Sequence, residues 1–127
     1  MIEKARSRAI YDCLTVADLE SGATAARRYD LLLAADTLVY LGDLSRAFDL
    51  AWSRLRPGGH LLFSVEAKAG EGFELGPKRR YRHSEAYLRE TAMRVGFEIM
   101  GLVACSPRSE ANQPVEGFAA ALQRPPP

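Results

Sequence analysis

At 127 residues the chain is long enough for one hydrophobic core and too short for two ordinary domains. Apolar residues make up 47% and charged residues 26%, the balance of an ordinary globular protein. A net charge of +1 gives no electrostatic case for nucleic acid or an anionic membrane, and no apolar run is long enough to span a bilayer. The opening Met1-Ile2-Glu3-Lys4-Ala5-Arg6 has no apolar signal core, so the expectation is a cytoplasmic protein. Cys13 and Cys105 lack metal-ligand spacing and lie in apolar, strand-like surroundings. They read as buried thiols rather than a disulfide.

In chain order, residues 2–9 are charged and helix-favouring. Tyr11 to Ala17 is apolar and β-branched and stops at Asp18, which predicts a strand over 13–18. Residues 20–28 form a weak helix or loop. Leu31-Leu32-Leu33-Ala34-Ala35 is a short apolar run with a sharp stop at Asp36, and it reads as a strand buried on both faces. Asp43 is a good N-cap. After it Leu44, Phe48, Ala51, Trp52 and Leu55 recur on one face of a helix, and Trp52 reads as core. Pro57-Gly58-Gly59 ends that helix, and a strand follows from His60 to Val65.

Residues 67–82 lack periodicity and predict a long Gly- and Lys/Arg-rich loop. Within it Lys78-Arg79-Arg80 reads as a solvated face. Ser84 caps the next helix, Leu88, Ala92 and Val95 make its buried stripe, and Gly96 stops it. Phe97 to Ala104 is a strand, 106–114 a polar turn, and Glu116 to Leu122 a last strand. The short connection makes this last pair antiparallel. Residues 1–124 then make one domain, and Pro125-Pro126-Pro127 a disordered tail. Alternating helices and strands predict an α/β fold whose sheet is mainly parallel, with an antiparallel last strand.

These segments carry a resemblance. The relevant residues are Ala5-Arg6, Ile10-Tyr11-Asp12, Ala17-Asp18-Leu19, Tyr29-Asp30-Leu31, Ala34-Ala35-Asp36, Val39-Tyr40-Leu41-Gly42-Asp43-Leu44, Arg56-Pro57-Gly58-Gly59, Phe63-Ser64-Val65-Glu66, Arg80-Tyr81, His83-Ser84-Glu85-Ala86-Tyr87-Leu88 and Gly96-Phe97-Glu98. In this order they resemble the carboxyl-terminal part of class I S-adenosylmethionine-dependent methyltransferases, most of all a predicted subgroup associated with tetratricopeptide repeats. The resemblance implies a Rossmann-like methyltransferase sheet in the strand order 3-2-1-4-5-7-6, with strands 1 and 2 missing here. The glycine-rich loop after strand 1 and the ribose-binding acid after strand 2 are not encoded. Met1 falls where the family has an internal methionine.

By the same resemblance, the cofactor is S-adenosylmethionine, bound if the site is completed, by Asp18, Leu19, Ala34, Ala35, Asp36 and Tyr40. Asp18 also reads as an N-cap, Asp36 as a turn cap, and Tyr40 as an aromatic packed under a helix. Tyr40 has a second reading as a π face for the sulfonium. Glu66, Tyr81 and His83 are the substrate-side candidates. Glu66 reads equally as a base or orienting group and as a solvated strand end, and His83 as part of a substrate patch or as a loop anchor. No residue is assigned as catalytic, because the sulfonium leaving group is already activated and methyl transfer rests on positioning. The expected activity is methyl transfer to a small-molecule or protein acceptor. The alternative is a non-catalytic module that self-associates, as a homodimer, or binds a partner through an exposed strand edge.

Overall fold

The computed structural model describes residues 28–35, 37–110 and 112–127. The predicted strand over 13–18 and Cys13 lie outside them. Six strands form one sheet: β1 (Tyr29–Ala34), β2 (Leu55–Lys68), β3 (Phe73–Leu75), β4 (Tyr81–Ser84), β5 (Glu98–Glu110) and β6 (Gln113–Gln123). Helix α1 spans Ser45–Arg54 and α2 spans Glu85–Val95.

β2 is the organising strand. One of its edges pairs antiparallel with β6, and β5 pairs antiparallel beyond it. The run β1-β2-β6-β5 therefore has the neighbour order that the resemblance implies for the last four strands. The sheet is nevertheless not mainly parallel. Among the described strands, β1–β2 and β2–β4 are parallel, whereas β2–β6, β3–β4 and β5–β6 are antiparallel. The balance shifts because one segment read as a loop becomes an antiparallel hairpin and another lengthens the antiparallel pair already expected at the carboxyl end.

The first is 67–82, where β2 extends to Lys68 and β3 folds back onto β4. Strands of three and four residues leave no periodicity to read, and they are held by pairing with each other and with β2. The second is 106–114, where β5 continues to Glu110 and β6 resumes at Gln113. Pro107 is accommodated because β5 is an edge strand and its pairing shifts register between Cys105 and Arg108. Gly117 faces this irregularity. A Cβ there would lie 2.6 Å from Pro107 Cδ and would collide with the Val65 carbonyl oxygen. Cys105 is exposed, not buried.

The residues from Arg56 to Gly59 do make the predicted turn, but inside β2 rather than before it. The pairing jumps from Tyr29 with Leu55 to Leu31 with His60, and Gly58 has φ 88. Arg124 secures this corner. Its guanidinium donates to the carbonyls of Trp52 and Leu55 at 2.8 and 2.9 Å and lies 4.8 Å from the Trp52 ring.

Both helices pack on one face of the sheet. The predicted α1 stripe is observed, with Leu44, Phe48 and Leu55 fully buried, Ala51 buried and Trp52 partly buried against the core. On β2 the alternate residues Leu61, Phe63 and Val65 face this stripe. Phe48 meets the rings of Phe63 and Phe97 at 5.4 and 6.2 Å. In α2 the Ser84 hydroxyl accepts the Tyr87 N–H at 3.1 Å, and Gly96 closes the helix at φ 114, as the sequence predicts.

Candidate functional site

The edge of β2 opposite β6 is shared by two strands in succession. β1 holds it up to the pair Ala34–Phe63, and β4 takes it from the pair Glu66–Arg82. Ser64 and Val65 fall between these two pairings, and the step from β1 to β4 beyond the carboxyl end of β1 is the candidate crevice. Ligands of open α/β sheets bind at such strand ends.

The first bank of the crevice follows β1. Ala34 and Ala35 carry single methyl groups and let a ligand come close to the backbone. The Thr37 hydroxyl donates to the Ala35 carbonyl at 3.0 Å and turns the chain into a 3₁₀ turn, Leu38–Tyr40. Leu38 and Val39 are buried beneath this turn, and Tyr40 is 59% exposed. The structure thus presents the Tyr40 ring to solvent.

The second bank is the β3–β4 hairpin. His83 has no exposed surface. Its Nε2 lies 3.0 Å from the Gly42 carbonyl oxygen, while Nδ1 is buried with no partner. A carbonyl accepts only, so the proton sits on Nε2. Burial holds the His83 imidazole below its ordinary pKa, against the opposing pull of the Gly42 and Leu41 carbonyls, and keeps it neutral. The rings of Phe73 and Tyr87 pack 6.1 and 5.9 Å from it. Gly42 fits because it lacks a side chain: a Cβ would lie 2.7 Å from the Phe73 ring and 2.8 Å from the Tyr81 ring.

Tyr87 ties the same loop to α2. Its hydroxyl accepts the Leu44 N–H at 2.8 Å and donates to Asp43 Oδ1 at 3.2 Å. Burial pushes the Tyr87 phenol above its ordinary pKa. The Asp43 carboxyl is held below its ordinary value, chiefly by the Ser45 backbone N–H, which it accepts at 2.9 Å, and then by the Ser45 side chain. Asp43 therefore holds the first turn of α1 from one residue before the N-cap, which is Leu44 and not Asp43 as the sequence predicts.

Glu66, at the far end of β2, is 4% exposed, and its Oε2 accepts the Arg80 Nε–H at 2.5 Å. Arg80 is buried, so the run from Lys78 to Arg80 is not a uniformly solvated face. A buried arginine is favoured here because it neutralises a carboxylate that the β2–β4 pairing removes from water.

Ala34, Ala35 and Tyr40 thus stand on one bank, and Glu66, Tyr81 and His83 belong to the other. Asp18, Leu19 and Asp36 lie outside the described residues. Sequence reasoning missed Arg80, Phe73 and the roles of Gly42 and Tyr87. A strand-end acid followed 14 residues later by an arginine was the one available signal for the ion pair, and it is a weak one. Among the described residues, no group of three or more His, Cys, Asp and Glu side chains could hold a metal ion. No helix of the described residues is long and apolar enough to cross a membrane.

No family model and no curated protein matches the chain. Solved structures do. An S-adenosylmethionine-dependent methyltransferase from Methanosarcina mazei superposes with a TM-score of 0.71 at 15% identity, covering 89% of this chain and 67% of that one. The [4+2]-cyclase SpnF gives 0.75 at 18%, covering 99% of this chain and 61% of that one. The 1,6-didemethyltoxoflavin-N1-methyltransferase of Burkholderia thailandensis, solved with 1,6-didemethyltoxoflavin and S-adenosylhomocysteine bound, gives 0.67 at 14%, covering 86% and 49%. The chain spans about half to two thirds of the length of these three structures. At these identities the likeness establishes the fold, which is the α/β fold of S-adenosylmethionine-dependent methyltransferases.

Proposed function

We propose that the chain forms one wall of the cofactor cleft of an S-adenosylmethionine-dependent methyltransferase of the tetratricopeptide-associated kind, acting on a small-molecule or protein acceptor. The observation that carries this reading is the crevice where β4 succeeds β1 along β2, bordered by Ala34, Ala35 and the exposed Tyr40. These residues fit the methyl-donor side of the cofactor. The two alanines admit close approach, and an exposed tyrosine ring attracts a sulfonium. The described carboxylates beside the crevice, Asp43 and Glu66, are engaged by Ser45, Tyr87 and Arg80 and do not suit a ribose.

When bound, S-adenosylmethionine supplies a methyl group already activated on sulfur. The chain's own contribution is then positional. Ala34 and Ala35 seat the cofactor, Tyr40 faces its cation, and Tyr81 borders the acceptor. Glu66 and His83 serve the acceptor side through Arg80 and Gly42, by holding the hairpin and the loop in place. Titration with S-adenosylmethionine and S-adenosylhomocysteine, followed by NMR, tests this. Shifts at Ala34, Ala35 and Tyr40 with an affinity weaker than micromolar are expected. An absence of shifts at these residues up to millimolar ligand sinks the reading.

A second reading is a non-catalytic module that self-associates or binds a partner. It is favoured by the β1 edge, which pairs only with β2 among the described residues and leaves Leu31 54% and Leu33 70% exposed. The cyclase among the structural neighbours also separates this fold from methyl transfer. Sedimentation of the wild type and of Leu33→Lys decides it. A dimer lost in the variant supports the module, and a monomer at every concentration removes self-association.

A further inference from the structure

We propose that the crevice receives an uncharged aromatic or apolar group of the methyl acceptor, held between Tyr40 and the face of the β3–β4 hairpin that carries Phe73, Leu75 and Tyr81. This assignment rests on the methyltransferase reading and names its substrate class.

Register puts these side chains together. Phe73 is opposite His83 and Leu75 opposite Tyr81, so the four share one face, while Glu74 and Arg82 take the other. Packing uses only part of this face. His83 is fully buried, yet Leu75 is 58% exposed, Phe73 39% exposed and Tyr81 half-buried. The 3₁₀ turn that carries the exposed Tyr40 packs against β4. An apolar surface left open beside a crevice is a recognition feature. It is also rigid. Phe73 stacks edge-on with Tyr81 at 6.1 Å and with Tyr87 at 5.1 Å, so little order is lost when a ligand seats on it.

The charge inventory selects the ligand. Glu66 is neutralised by Arg80, His83 is turned to the Gly42 carbonyl, and Asp43 is bonded to Ser45 and Tyr87. Glu74 and Arg82 point away from this face. Among the described residues, no side chain of this face offers a counter-charge to a charged group entering between Tyr40 and Leu75, whereas an uncharged ring needs none.

The probes are 2-naphthol, neutral at pH 7.5, and 2-naphthoate, the same ring bearing a carboxylate. Each is titrated by NMR into the full chain without S-adenosylmethionine. Naphthol is expected to shift Tyr40, Phe73, Leu75 and Tyr81, and naphthoate to bind at least tenfold more weakly. Leu75→Asp and Leu75→Ser are expected to weaken naphthol tenfold or more, with Leu33→Asp unchanged as the control on β1. Three outcomes overturn the proposal: no naphthol shifts at these residues, naphthoate binding as tightly through the exposed Lys78 and Arg79, or shifts of the same residues with protein concentration alone, which assign the face to a second copy. Naphthol binding by a chain that does not bind S-adenosylmethionine leaves the apolar site standing, while the methyltransferase reading fails and with it the identification of the ligand as a methyl acceptor.

Discussion

The Glu66 carboxylate and the Arg80 guanidinium meet at 2.5 Å with both side chains nearly excluded from water. This pair fastens the segment leading into β4 to the far end of β2, and so sets one bank of the crevice. Removing one partner leaves a buried charge uncompensated. Arg80→Met is expected to cost about 3–5 kcal/mol in urea unfolding, whereas Glu66→Leu with Arg80→Met recovers most of that loss. A double variant no more stable than Arg80→Met alone contradicts this account.

His83 makes stability depend on pH. The unfolded chain has an ordinary imidazole near 6.5, and burial lowers the folded value. As pH falls below 6.5 the unfolded state takes up the proton first. The stability associated with the neutral ring is therefore complete above that pH and is lost as pH falls through the folded value. Urea midpoints between about pH 5 and 7 should fall with acidity, and the slope should shrink in His83→Asn. An unchanged slope in the variant assigns the effect elsewhere.

Gly42 is a contact position. A methyl group there presses on Phe73 and Tyr81 from 2.7 and 2.8 Å. Gly42→Ala is expected to cost about 1–3 kcal/mol as an overpacked site. Adding Phe73→Leu should return part of the loss, read as a rise in the urea midpoint over the single variant.

Phe48 is fully buried and joins α1 to β2 and to Phe97. Phe48→Ala should cost about 3–5 kcal/mol, enough to unfold a marginal domain. Thermal unfolding followed by circular dichroism measures it. A loss under about 1 kcal/mol means that this packing is not the centre of the core.

Much of the fold is legible in the chain because its signals are local. The α1 stripe from Leu44 to Leu55, the Ser84 cap, the left-handed stop at Gly96 and the short link between the last two strands each follow from neighbouring residues. Ala34, Ala35 and Tyr40 come instead from the family resemblance, and the run before them is not buried on both faces as its apolar spacing suggests, since Leu31 and Leu33 are exposed on an edge strand of the described sheet. The hairpin of β3 and β4 was not legible, because strands of three and four residues have no period and Phe73 to Leu75 is specified by its partner strand.

The sequence by itself therefore determined the α/β class, the helices and the strand ends that carry small residues. Propensity, capping and apolar spacing act within a few positions of each residue. Tertiary structure alone decided that the sheet is mixed, that Glu66 and Arg80 neutralise each other and that His83 is buried against Gly42. Pairing register and burial depend on residues far apart in the chain, and burial is what turns an ionisable side chain from a candidate reagent into a fixed support.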